Sequence, residues 1–298
     1  MAASTIRVGP AGWSYPDWRG IVYPAARPAG FHEAGYLARF FDVLEINTCF
    51  YHPVRAAIAA KWVRHVAHNP RFRFTAKLHQ SFTHTGNPTD ADERGFREMA
   101  DVLAGADRLG AVLIQFPWSF RNTAENRAYL QALLDRFPEY PLVVEVRHSS
   151  WNEPRFWSLL RERRAGFCNI DQPVIGPSLA PTAQATSPVG YVRLHGRNYK
   201  EWFGESGRDA RYNYFYSAAE LEAWKPRVEE VASRSATTYV ITNNHYQGQA
   251  VANALQFVSL LLQAPVQAPA SLVAAYPQLR ECTNTEQGLL FTTESGLR

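Results

Sequence analysis

Eight short apolar runs recur along this chain, and most of them end in a polar residue. They are IRVGPAGW (6–13), VLEIN (43–47), RFTAKLH (73–79), AVLIQF (111–116), LVVEVRH (142–148), GFCNID (166–171), GYVRLHGR (190–197) and TYVITNNH (238–245). A strand buried on both faces is built almost wholly of Val, Ile, Leu, Ala and Phe. A charge inside such a strand must be paired or must face a wet lumen. Here Glu45, Lys77, Gln115, Glu145 with Arg147, Asp171, Arg193 with His195 and Arg197, and Asn243 with Asn244 fall near the same end of seven runs. That pattern is expected of a site assembled at one mouth of a parallel barrel.

Segments with apolar residues at three- and four-residue spacing lie between the runs and are expected to be helices: 34–42, 56–67, 93–106, 125–137, 153–165, 218–232 and 248–264. Asp90, Asn122 with Thr123, Asn152 and Ser217 stand where N-caps belong. Successive strands are spaced by roughly 24 to 48 residues, as in βα repeats, and the β–α order is read as unbroken. The Pro-rich stretch 172–188 reads as a loop. The expectation is α/β: a (β/α)8 TIM-type barrel filling residues 1–298 as a single domain, with an irregular tail from about 265. An open doubly wound sheet is the alternative, but neither GxGxxG nor GxxxxGK[ST] is present, so no nucleotide-cofactor motif supports it.

Composition adds limits. With 298 residues, 46% of them hydrophobic, the chain suffices for one large barrel core. The net charge of +4 is spread without a run of five like charges, which points only weakly to an anionic partner. Cys49, Cys168 and Cys282 show no CxxC spacing and read as reduced thiols, Cys49 with a minor claim as nucleophile near the mouth. No signal-peptide pattern opens the sequence and no stretch of 18 apolar residues occurs, so a cytoplasmic protein without a membrane partner is expected.

Glu45, Lys77 and Glu145 form the sharpest set. Strand alternation puts Val43, Glu45 and Asn47 on one face, and Thr75, Lys77 and His79 likewise. An ammonium between two carboxylates is a stable cluster in its own right. Their place at the ends of three strands favours catalysis instead: Glu45 or Glu145 as general base, and Lys77 as anion stabiliser or Schiff-base former. Burial would lower the lysine pKa and the carboxylates would raise it. In RLHGRN (193–198), Arg193 and Arg197 present forks suited to carboxylate or phosphate, beside the NNH triplet at 243–245. An Arg193–Glu145 pair is the plain structural alternative. Glu45, Glu145, Asp171, His195 and His245 are ligand types for a divalent metal, but no local spacing supports a metal site. The loops 195–217 and 12–20 interleave basic and aromatic residues, suiting stacked bases or, more simply, a lid.

At these residues the chain resembles the YecE-like family, number seventy-two among the domains of unknown function. The resemblance is carried by GWSYPDWRG (12–20), EINTCFY (45–51), FRFTAKLHQSFTH (72–84), GAVLIQFPWSF (110–120), VVEVRHSSW (143–151), YVRLHGR (191–197) and NNHYQGQAVANA (243–254). It implies an eight-stranded α/β barrel and no particular activity. The family's shared polar residues fall on Trp13, Glu45, Asn47, Tyr51, Lys77, His84, Gln115, Glu145, Arg147, His195, Arg197, Asn243 and Asn244. The chain departs from the family at Cys49, where Thr is more usual, and at Leu78 and His79.

Three functions are therefore weighed. The first is an enzyme using acid–base chemistry on a small anionic, phosphorylated or sugar-like molecule. The second is a nucleic-acid-binding or metal-dependent phosphodiester-cleaving protein, by resemblance to endonuclease IV barrels, with weak nucleic-acid affinity expected. The third is a binding barrel without catalysis. Oligomeric state is left open.

Overall fold

Runs of Val, Ile, Leu and Ala with both faces buried need cover on both sides, and parallel pairing under a ring of helices supplies it. A computed structural model describes residues 4–199 and 211–285. Its strands are Thr5–Pro10 (β1), Val43–Ile46 (β2), Arg73–Lys77 (β3), Leu109–Gln115 (β4), Leu142–Glu145 (β5), Gly166–Asp171 (β6), Val189–Leu194 (β7) and Thr237–Thr242 (β8). All pair in parallel, in the order β1-β8-β7-β6-β5-β4-β3-β2. The ring closes nearly completely. Just beyond β1, Ala11 bridges Glu45, and the Gly12 N–H donates to the Glu45 carbonyl at 2.8 Å. Gly9 permits this approach, because a Cβ there would meet the Val43 carbonyl oxygen at 2.0 Å. The protein is a (β/α)8-type barrel.

Helices Ala56–His65, Asp90–Gly105, Ala124–Arg136, Pro154–Glu162, Ala218–Ser233 and Gln249–Leu262 cover the ring. Two start in capping boxes, Thr89 with Asp92 and Ser217 with Glu220. The cap of the first is thus Thr89 rather than Asp90, and Thr123, not Asn122, caps Ala124–Arg136. Helix Pro154–Glu162 begins after Glu153, not Asn152, and has no side-chain cap.

The β–α alternation breaks once. Between β6 and β7 residues 172–188 form no helix, since Pro173, Pro177, Pro181 and Pro188 deny it the donors a helix needs. Asn169 on β6 holds that loop, its Oδ1 accepting from Gln184 N (2.7 Å) and Thr182 Oγ1 (2.8 Å) and its Nδ2 donating to the Gln184 carbonyl (2.9 Å). The segment expected to be an irregular tail contains regular pieces. Val266–Ala268 and Thr283–Thr285 pair in parallel around a short helix, Ala270–Ala275. No helix among the described residues is long and apolar enough to cross a membrane.

The lumen is filled in layers. Tyr191 and Tyr239 are register partners on β7 and β8, with ring centroids 6.0 Å apart. Tyr239 packs so closely on Gly110 that a Cβ there would lie 2.3 Å from its hydroxyl. Polar groups begin directly above these rings.

Candidate active site at the strand C-termini

Arg193 on β7 extends its guanidinium across the lumen between two carboxylates. Nη2 lies 2.7 Å from Glu45 Oε1 on β2, and Nη1 lies 2.7 Å from Glu145 Oε2 on β5. All three side chains are essentially sealed from water. The Tyr191 hydroxyl donates to Glu45 Oε2 at 2.9 Å and sits 2.8 Å from Thr75 Oγ1. Arg147 donates to Glu145 Oε1 from Nε (3.0 Å) and Nη2 (2.9 Å). These two carboxylates and two guanidiniums balance in formal charge.

His195 completes the array. Burial lowers its pKa to about 3 against the opposing pull of Glu145, with the guanidiniums of Arg147 and Arg193 adding to the lowering. The ring is therefore neutral. Its Nε2 lies 3.2 Å from Glu145 Oε1 and within 3.5 Å of Arg147 Nη2 and Arg193 Nη1, and its Nδ1 lies 3.0 Å from Asn243 Nδ2. Burial alone would raise the Glu145 pKa, but the guanidiniums of Arg193 and Arg147, with the hydrogen-bonding contact to His195, hold it well below the usual carboxylate range. A carboxylate so stabilised by cations is a weak proton acceptor.

Lys77 is treated differently. At the end of β3 it enters a cavity of about 50 Å³, partly open to solvent, whose walls include Asn47, Phe50, Gln115, Arg193 and Asn243. Its Nζ rests 3.5 Å above the Phe50 ring centroid. Among the described residues no carboxylate lies within ion-pair distance of Nζ, and Nζ makes no hydrogen bond to them. Burial and the nearby Arg193 lower its pKa from 10.5 to about 7, against the opposing pull of Glu145 and Glu45. Two aromatic groups from loops complete the mouth. Tyr15 stacks on His245 at 4.5 Å, and Tyr212 tilts against the same imidazole at 5.0 Å. The Trp18 indole anchors this corner by donating to the His245 carbonyl at 2.7 Å.

The structure thus brings Glu45, Glu145, Arg147, Arg193, His195 and Asn243 into one network, with Asn47, Tyr51, Lys77 and Gln115 on the cavity beside it. Other expected site residues stand elsewhere. Arg197 is not open to a ligand through its Nε edge, because Nε and Nη2 grip the buried Asp171 at 2.9–3.0 Å, and Nη1 reaches Glu220 at 3.2 Å. The Tyr216 hydroxyl adds a 2.6 Å bond to Asp171, so Asp171 and Arg197 form their own cluster. Asn244 is buried and donates to the Tyr214 carbonyl and to Asn253 Oδ1. Trp13 packs edge-on against Trp62 and lines a neighbouring hollow with Tyr51. His84 lies in an adjacent groove, exposed, its pKa lowered to about 4 by desolvation and by Lys77. His79, on the strand-parity face of Lys77, has left the lumen to cap the next short helix, Gln80–Thr83.

Cys49 is buried: desolvation pushes its thiol up to about 12 and its Sγ faces the Ile46 and Lys77 carbonyls. Among the described residues no three His, Cys, Asp or Glu side chains group as a metal ion requires. Asp171 is spent on Arg197, and Arg193 stands between Glu45 and Glu145. The basic and aromatic loop 195–217 lies in part, at residues 200–210, outside the described residues. Sequence reasoning missed Phe50, Tyr15 and Tyr212 as cavity walls. Phe50 stood beside the matched residue Tyr51, but a phenylalanine in an apolar run gives no sign of serving an ammonium.

A parallel barrel with a polar cavity at its C-terminal mouth defines a TIM-barrel protein of the kind that places small-molecule sites there. The chain belongs to the family described as "Protein of unknown function DUF72", whose model matches residues 7–276; YecE-like is the same family. It is 30% identical over 272 residues to the UPF0759 protein YunF of Bacillus subtilis, covering 86% of this chain and 94% of that one. A DUF72 family protein from Thermotoga maritima superposes with a TM-score of 0.76 at 33% identity, covering 87% of this chain and 99% of that one. One from Enterococcus faecalis gives 0.74 at 25% identity, covering 87% and 96%.

Proposed function

We propose that this protein is an enzyme that moves protons on a small, oxygen-rich anionic molecule held at the barrel mouth, with Lys77 as the proton-transferring group. One observation carries this reading. Lys77 faces a partly open polar cavity at the barrel mouth with no ion-pair partner among the described residues, and its pKa is lowered to about 7. A group that titrates near the working pH is both available as a base and acidic enough to return the proton. Glu45 and Glu145, expected as bases, serve here as anchors that hold Arg193 at the cavity wall. Since the two guanidiniums are matched by those carboxylates, a protonated Lys77 supplies the surplus positive charge that attracts an anion. The amides of Asn47, Gln115 and Asn243 and the rings of Tyr15 and Tyr212 suit hydroxyl groups and a flat or sugar-like face.

The test begins with thermal shift against sugars, sugar phosphates and hydroxy and oxo acids. A ligand at a hundred times its Kd adds about 2.7 kcal/mol to stability, a rise of roughly 4 °C for a chain of this size. Hits are then incubated in heavy water, and carbon-bound hydrogen exchange is followed by NMR. Exchange in the native protein that falls at least a hundredfold in Lys77→Met supports the reading. Failure of every compound to stabilise the native protein, or exchange untouched in Lys77→Met, overturns it.

A further inference from the structure

We infer that Lys77 engages its substrate covalently, forming an iminium with the aldehyde or ketone carbon of a small hydroxylated compound. The inference rests on the reading of the cavity as an active site and names the substrate class that the site takes.

The geometry around Nζ supports a nucleophile in three ways. The amine rests 3.5 Å over the Phe50 ring, and both side chains line the partly open cavity, so a carbonyl carbon held there lies beside the amine. No carboxylate among the described residues pairs with the amine; Glu45 and Glu145 are tied to Arg193 and Arg147 instead. An ion-paired lysine would stay protonated, and its lone pair would be unusable. The amides of Asn47, Gln115 and Asn243 line the same cavity and offer donors for the carbonyl oxygen and for neighbouring hydroxyls.

The chemistry balances without a further reactant. The Lys77 ammonium and one aldehyde or ketone give one protonated imine and one water. The ammonium first releases a proton to solvent at the open mouth, and the free amine forms the C–N bond as the carbonyl π bond opens. The resulting alkoxide takes a proton back from solvent to become a nitrogen-protonated carbinolamine. A second N–H proton then moves to the hydroxyl, the C–O bond breaks, and water leaves. The product is a fixed cation where an ammonium stood, and the face of Phe50 stabilises either one.

Availability of the amine agrees with this. At pH 7 a lysine titrating at about 7 is about half free amine, whereas a solvated lysine near 10.4 is free in roughly one molecule in 2,500.

The test uses the full chain at pH 7. Formaldehyde, dihydroxyacetone phosphate and pyruvate are supplied separately with cyanoborohydride, which reduces the iminium to a stable secondary amine. Peptide mass mapping then compares four lysines, Lys61, Lys77, Lys200 and Lys225. Lys77 should be labelled at least tenfold faster than Lys61 and Lys225 by one or more of the probes. Lys77→Arg keeps the charge but cannot form the adduct, and should lose the fast phase alone. If Lys77 reacts no faster than Lys61 and Lys225 with every probe, formaldehyde included, the covalent role is overturned. Persistence of Lys77-dependent hydrogen exchange in that event leaves the acid–base reading standing, so the two failures are distinguishable.

Discussion

Replacing Lys77 by methionine should stabilise the protein while removing its chemistry. The gap between 10.5 and about 7, at 1.36 kcal/mol per pH unit, caps the cost of keeping this ammonium in its site at ~5 kcal/mol. Lys77 is only partly shielded from water, and the Phe50 face returns some of the loss. A realised gain of about 2 kcal/mol at pH 6 is therefore expected for methionine, which fits the same volume without a charge. The sign with pH follows from proton counting. At pH 6 the lysine is protonated in both folded and unfolded chains, so the penalty is present in full. Between about 7 and 10.5 the unfolded chain binds the extra proton, so the native protein gains stability as pH rises. The variant lacks that gain, which over the two pH units from 7 to 9 is worth up to about 2.7 kcal/mol, so its advantage should be lost by pH 9. Urea denaturation of both proteins at pH 6 and pH 9 measures this directly. A methionine variant less stable than the native protein at pH 6, or an advantage that does not narrow by pH 9, would refute the reasoning that desolvation dominates at Lys77.

Three further outcomes are expected. Arg193→Met strands Glu45 and Glu145 in the lumen without their shared cation, and unfolding free energy should fall by about 3–5 kcal/mol, read by chemical denaturation. Arg197→Ala removes the partner of the buried Asp171, so stability should drop by about 2–4 kcal/mol while calorimetric affinity for any cavity ligand stays unchanged; lost affinity with unchanged stability would return Arg197 to the binding site. Single-stranded and abasic duplex oligonucleotides, titrated over a salt series, should bind at roughly micromolar affinity or weaker at physiological salt; tight binding would restore the nucleic-acid reading.

Much of the barrel was legible in the chain because burial on both faces leaves a direct mark. VLEI, LVVE and TYVIT read as strands from composition alone, and all but the edges of these runs are buried. Capping was legible to within a residue: Ser217 with Glu220 and Thr123 use local side-chain geometry that the sequence displays. The missing helix between β6 and β7 was half legible, since the prolines forbade a helix but the βα rhythm argued for one. Convergence of Glu45, Glu145 and Arg193 followed from strand parity and from their common end.

Of the pairings within that cluster, only Arg193 with Glu145 was weighed from the sequence, as the structural alternative, and the fold contains it. Otherwise the sequence presents Lys77, Arg147, Arg193 and Arg197 as four cations and Glu45, Glu145 and Asp171 as three carboxylates without saying which meet. Only the fold decides that Arg193 spans Glu45 and Glu145, that Arg197 closes on Asp171, and that Lys77 is left beside Phe50. The physical reason is distance. Strand membership and residue parity are local properties, set over a few positions. Which charges meet, and therefore which group keeps a pKa near neutrality, depends on barrel register and side-chain reach between strands far apart in sequence.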